Sequence, residues 1–182
     1  AFDALTTSEE RAAAFVKTSR EAFLADNSDG IGGRQSEWWE VGESMLRIDD
    51  KIRTSIIVDP ANGKMPFHPA GRARLDGAMK AVLADFDDPE RRPSTERCLT
   101  GGSGSTGAPY FPSRYNGNHK IVQTPDHVTI FTEQSREVRI IPLGEPGHRP
   151  PVMRRWMGYS TGRWEGDTLV VETQGFHPGD AF

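Results

Sequence analysis

Residues 119–173 repeat one pattern that few folds accommodate: short runs that alternate in polarity or carry β-branched side chains, separated by turn residues. The runs are 119–124, 127–133, 137–143 and 167–173, divided by Pro125-Asp126, by residues 134–136 and by a longer insertion at 146–162. Three closely spaced strands in a row predict an antiparallel meander. Trp164-Glu165-Gly166-Asp167 reads as a tight turn, so 162–164 and 168–172 are expected to pair as a hairpin that continues it. The expected fold class is therefore mainly β (α+β), an antiparallel meander or barrel-like sheet. An open sheet whose last strand carries Val170 and Val171 would present an unprotected edge, so an oligomer, a second polypeptide or further strands completing the sheet is expected.

The first 113 residues read differently. Thr7 and Glu10 stand at capping-box spacing, and Ala12, Phe15, Val16, Phe23 and Leu24 can form an apolar stripe, which predicts a helix over 7–26. Leu75, Met79, Val82, Leu83 and Phe86 recur at three and four, predicting a second helix over 70–86 that covers a sheet face. Residues 36–47 carry Trp38, Trp39, Val41, Met45 and Leu46 and fit a short helix or an aromatic strand. The β-branched Ile56-Ile57-Val58 predicts a strand over 53–58 that returns at Asp59-Pro60-Ala61-Asn62-Gly63. Gly-rich 30–35 lacks the lysine and spacing of a phosphate loop, and 89–113 reads as a long loop around Gly101-Gly102-Ser103-Gly104. Gly104-Ser105-Thr106-Gly107 lacks the flanking strand and helix of a nucleophile elbow. One domain over 1–182 is expected, with two packing helices in a loop-rich half (1–113) against a β-meander (114–176).

Composition narrows the partners. A formal net charge of -4 with both signs interspersed gives no basic face for a nucleic-acid backbone. No run approaches the roughly 18 apolar residues of a membrane span. Cys98 is the only cysteine, so no intrachain disulfide forms, and its simplest reading is a small buried apolar residue. His68, His119, His127, His148 and His177 do not fall at metal-ligand spacing, and no metal is expected.

Four motifs carry a resemblance: Arg53-Thr54-Ser55-Ile56-Ile57-Val58-Asp59-Pro60, Tyr115-Asn116-Gly117-Asn118, Ile121-Val122-Gln123-Thr124-Pro125, and the long run from Gly162-Arg163-Trp164 to Val171-Glu172-Thr173. With these the chain resembles, over about 36–176, a group of uncharacterised exported bacterial proteins. The resemblance implies a periplasmic or secreted location, with a signal peptide removed, and a β-rich fold that continues beyond the last motif. It implies no activity. Gly117 and His119 stand where an asparagine and a tyrosine are usual, and Arg136-Glu137 where His-Asp is usual, so no role of that pair is carried over.

Several polar residues gather near predicted strand ends. Tyr115, Asn116, Asn118 and His119 are four hydrogen-bonding side chains in five positions, suited to a binding site or equally to turn chemistry. Glu133 and Arg139 are placed to meet across a hairpin, either as a carboxylate oriented for general-base work or as an exterior ion pair. Glu172 shares a strand face with Val170, where half-burial would raise its pKa, unless the strand end is exposed. Arg154-Arg155-Trp156 with Tyr159 and Trp164 can form a cationic, aromatic rim or simply plug the sheet end. Two functions follow as expectations. One is a cofactor-independent lyase or isomerase acting on a small organic molecule in a β-lined pocket, with His119, Tyr115, Glu133 and Glu172 as catalytic candidates. The other is a periplasmic binding or carrier module in which Tyr110, Asn116, Asn118, Arg139 and Trp164 hold the ligand. A structural subunit of a hetero-complex is the third.

Overall fold

The strand pattern is realised as separate sheets. The structure, a computed structural model, describes residues 4–25, 42–84, 86–92, 96–100, 110–113, 115–144 and 154–177. Among these, two helices in the N-terminal half and eight strands in three small antiparallel sheets make a mainly β fold with no closed barrel. Chain contacts divide it into two compact units, 1–68 and 69–182.

The first unit contains β1 (Thr6–Thr7), α1 (Glu9–Ala25), β2 (Arg47–Ile48) and β3 (Lys51–Arg53), with β3 between the other strands. Ser8, rather than Thr7, caps α1: its Oγ accepts from the Arg11 N–H at 3.4 Å while Thr7 is spent in β1 pairing with Ile52. The helix buries Ala12 and Phe23 and half-buries Val16, a line at the 3.6-residue period; Phe15 and Leu24 fall off that line and are exposed. The strand expected over 53–58 ends at Arg53. Ser55 explains this, because its Oγ donates to the Gly63 carbonyl at 2.9 Å and accepts from the Ile57 N–H at 3.0 Å, offering the backbone a bend in place of a ladder. Residues 36–41 lie outside the described residues; of the rest of the 36–47 segment, 42–46 are neither helix nor strand and Arg47 opens β2.

The second unit opens with α2 (Pro69–Ala84). Phe86 lies beyond its end and is 72% exposed, with the Arg92 guanidinium 4.1 Å from its ring centroid, so it is not part of the buried stripe. The Met79, Val82 and Leu83 side chains lie outside the described residues. Cys98 is exposed, at φ 55, which corrects the expectation of a buried apolar cysteine. Then β4 (His119–Gln123), β5 (His127–Thr132) and β6 (Glu137–Pro142) form the predicted meander in order. Thr124 closes the first turn, accepting the His127 N–H and donating to Asp126. The hairpin of β7 (Tyr159–Glu165) and β8 (Thr168–Gln174) turns through Gly166-Asp167, with Gly166 at φ 60 where a two-residue primed turn takes glycine.

That hairpin does not extend the meander antiparallel. It is a sheet of its own, joined to the meander by a parallel bridge between Leu143 and Gly162. Glycine is required there: a Cβ at Gly162 would stand 2.7 Å from Ile141 Cγ2 and 3.2 Å from Leu143 Cδ2. Gly162→Ala is expected to cost about 1–3 kcal/mol in urea denaturation, the usual range for overpacking; a change under half of that lower bound would show the contact yields freely.

The core of the unit is Val128, Ile141 and Thr132, with Arg139 and Ser160 buried among them. Register puts Glu137, Arg139 and Ile141 of β6 on the same face as Thr132, Ile130 and Val128 of β5 and His119, Ile121 and Gln123 of β4. Consequently an arginine points inward while Val138 and Ile140 are exposed on the other face with Val122 and Phe131. A one-residue slip would reverse this, so the register buries a cation at the expense of exposing two β-branched residues.

Candidate functional site

The inward arginine organises one end of the second unit. Arg139 is 6% exposed; its Nε donates to the Tyr110 hydroxyl at 2.9 Å, and its Nη1 donates to the Met157 carbonyl at 3.0 Å and to Ser160 Oγ at 2.7 Å. Ser160 Oγ in turn lies 2.9 Å from Thr173 Oγ1, so the guanidinium ties β6 to both strands of the hairpin. The Tyr110 ring meets His119 edge-on, centroids 5.5 Å apart, and His119 Nδ1 is 3.0 Å from Thr132 Oγ1. Because Thr132 pairs with His119 on one side and Glu137 on the other, His119, Thr132 and Glu137 form one cross-strand row on the inward face.

Burial sets the electrostatics. It pushes the Glu137 carboxyl up from the ordinary glutamate value, and nearby Arg139 opposes the shift without cancelling it. Burial likewise raises the Tyr110 phenol, again against Arg139. Since the folded pKa of Glu137 is raised, its favourable contribution is present below the unfolded pKa and is lost as pH rises through the folded one. Glu137→Gln is therefore expected to flatten the pH dependence of the melting temperature on the alkaline side of the glutamate range, and an unchanged profile would contradict the burial of this carboxyl.

The loop before β4 converges on the same end. Ser113 Oγ accepts from the Tyr115 N–H at 3.2 Å; the Asn116 carbonyl accepts from the Gln134 N–H at 3.0 Å; Asn118 Nδ2 donates to Glu133 at 2.8 Å. Asn116 sits at φ 49, in the left-handed region asparagine tolerates, so the turn chemistry of this segment is realised. Tyr110, Asn116, Asn118, His119, Glu133 and Arg139 are thus brought to one end of the sheet, with Tyr115 exposed beside them.

The expected contact between Glu133 and Arg139 is corrected. Glu133 does not meet Arg139: it has left β5 with φ -60 and ψ -44 and takes Asn118, while Arg139 stands opposite Ile130. Of the two alternatives at Glu172 the exposed one holds: it is exposed and accepts from Arg163 Nη1 at 2.7 Å. Glu172, followed by Glu165, raises the Arg163 pKa. Glu172→Gln is expected to leave the melting temperature within error in physiological salt, as exposed pairs do, and a clear drop would show the pair to be structural. Trp164 is exposed at the far end of the hairpin, four residues from Ser160 along β7, or roughly 13 Å at the usual strand rise, and is not brought to the Arg139 cluster. Arg155 stacks on Tyr159 at 4.5 Å and Trp156 on His177 at 4.2 Å, so part of the expected rim is occupied within itself. Sequence reasoning missed Glu137, Thr132, Ser160 and Thr173. Glu137 was within reach, since it shares a strand face with Arg139 by alternation.

Elsewhere, a cleft of about 880 Å³ in the first unit runs between α1 and residues 43–52, with Val16, Leu24, Met45 and Leu46 among its walls. Its charges pair locally, Arg47 with Glu9 and Arg20 with Glu43, and no site residue expected from the sequence lines it. Among the described residues no group of three or more His, Cys, Asp or Glu is placed to hold a metal ion, and no helix is long and apolar enough to cross a membrane. Comparisons of the chain with protein-family models, with curated proteins and with solved structures found no match.

Proposed function

We propose that the second unit binds a small organic molecule at the end of the sheet beneath Tyr110 and moves a proton on it, as a cofactor-independent lyase or isomerase. The cross-strand row His119–Thr132–Glu137 carries this reading. It sets an imidazole, held at Nδ1 by Thr132, on the same face as a carboxyl whose pKa is raised by burial. An imidazole and a carboxyl set on one face are groups that can abstract and return a proton. His119 is exposed and so reachable, while Arg139, fixed through Tyr110 and Ser160, supplies positive potential where a developing enolate or carboxylate would lie. A periplasmic or secreted location belongs to the same proposal, from the motif resemblance alone.

A second reading, a binding module without catalysis, is favoured by the neutral hydrogen-bonding partners around Arg139, which orient a ligand without moving protons. Incubating the protein with a panel of small hydroxy- and keto-acids in D2O and following C–H exchange by NMR separates the two. The enzyme reading expects exchange or turnover of one class, reduced about 10²-fold or more by His119→Ala and by Glu137→Gln. Turnover unchanged in both variants, or tight binding with no exchange, overturns it.

A further inference from the structure

Among the described residues strand β4 is an edge, and its backbone geometry limits what can pair with it. Among the described residues β5 is the only strand hydrogen-bonded to β4, and all five residues of β4 are exposed, Ile121 at 66%. The bonds flanking the ladder fix which backbone groups are used: the Asn118 carbonyl accepts from Glu133 N–H, and Thr124 N–H donates to the His127 carbonyl. In an antiparallel ladder these groups alternate along the strand. Asn118, Lys120, Val122 and Thr124 therefore face β5, and the N–H and C=O groups of His119, Ile121 and Gln123 face outward.

We infer that this edge pairs antiparallel with β4 of a second copy of the chain about a two-fold axis at Ile121. The outward groups at 119, 121 and 123 are self-complementary under that operation and would form about six inter-chain hydrogen bonds. Side chains match as well. Ile121 meets the partner subunit's Ile121, and His119 meets the partner subunit's Gln123, an imidazole opposite an amide. On the other face Lys120 stands opposite the partner subunit's Val122 rather than its own counterpart, so no like charges are directly opposed. The same pairing would join the exposed Val122, Phe131, Val138 and Ile140 of each copy into one continuous sheet face. This dimer does not depend on the proposed chemistry, although it sets the partner subunit's Gln123 beside His119.

Sedimentation equilibrium of the full chain tests it, with single-cysteine cross-linking in a Cys98→Ser background. A dimer is expected, and Ile121→Cys should form an inter-chain disulfide rapidly, because directly paired positions lie about 5.5 Å apart between Cα atoms. Lys120→Cys should lag, its counterpart being diagonal at roughly 7–8 Å. Ile121→Pro removes an outward N–H that β5 does not use and should weaken the dimer about tenfold or more while the circular dichroism spectrum is kept. A monomer at high protein concentration overturns the inference, as does a dimer in which Ile121→Cys cross-links no faster than Lys120→Cys. Should Ile121→Pro fail to fold, the cross-linking comparison decides alone.

Discussion

Replacing Arg139 by alanine is expected to destabilise the protein by about 3 kcal/mol or more in urea denaturation, one of the two largest single-residue effects in the second unit. The guanidinium is nearly fully buried and donates to a phenol on one segment and to a carbonyl and a hydroxyl, those of Met157 and Ser160, on another. Hydrogen bonds to a charged group contribute about 1.5–3 kcal/mol each, and deleting the donor leaves the part-buried Met157 carbonyl without that partner. The loss also removes one of the ties between the hairpin and the meander, because Ser160 carries the connection onward to Thr173. Arg139→Met separates the contributions. Methionine restores apolar volume without a cation to desolvate, so it should recover part of the loss if burial of the charge is itself costly. An Arg139→Ala protein within about 1 kcal/mol of wild type would show that the network merely decorates a hairpin held by apolar contacts.

Arg139 also shows where sequence reading stops. The β4, β5 and β6 segments were legible to within a residue at most ends, because β-branched runs punctuated by Pro125-Asp126 and a three-residue connection leave little freedom. Facing was not legible. Along Glu137–Pro142 alternation leaves the facing open, and hydropathy alone would turn Val138 and Ile140 inward. The register instead follows from where β5 ends: Thr132 pairs with Glu137, and everything after it inherits that phase. Glu133 leaves the ladder in a helical conformation, and this single departure removes the Glu133–Arg139 pair that counting along extended strands had suggested. The parallel bridge from Leu143 to Gly162 was equally hidden, since it joins segments separated by an insertion whose course no local pattern encodes. At residues 54–58 the error has another origin: β propensity in Ile56-Ile57-Val58 was outweighed by one serine hydroxyl bonding its own backbone neighbourhood.

The second large effect is expected at Ile141, whose side chain is 0% exposed and packs where the hairpin crosses the meander. Ile141→Ala should cost about 2–5 kcal/mol, combining lost transfer energy with a cavity the surroundings fill poorly. Collapse is restricted because Gly162, on the facing strand, is held by the Gly144 N–H to Gly162 carbonyl bond at 3.2 Å and by the bridge to Leu143. The same geometry predicts coupling. A methyl added at Gly162 would strike Ile141 Cγ2 in the wild type, but in Ile141→Ala it enters the vacated space. The double variant Ile141→Ala/Gly162→Ala should therefore be more stable than the sum of the two single changes by about 0.5–3 kcal/mol, read from a denaturation cycle. Strict additivity would place the two residues out of contact and would remove Gly162 as the reason the hairpin can lie so close to β6.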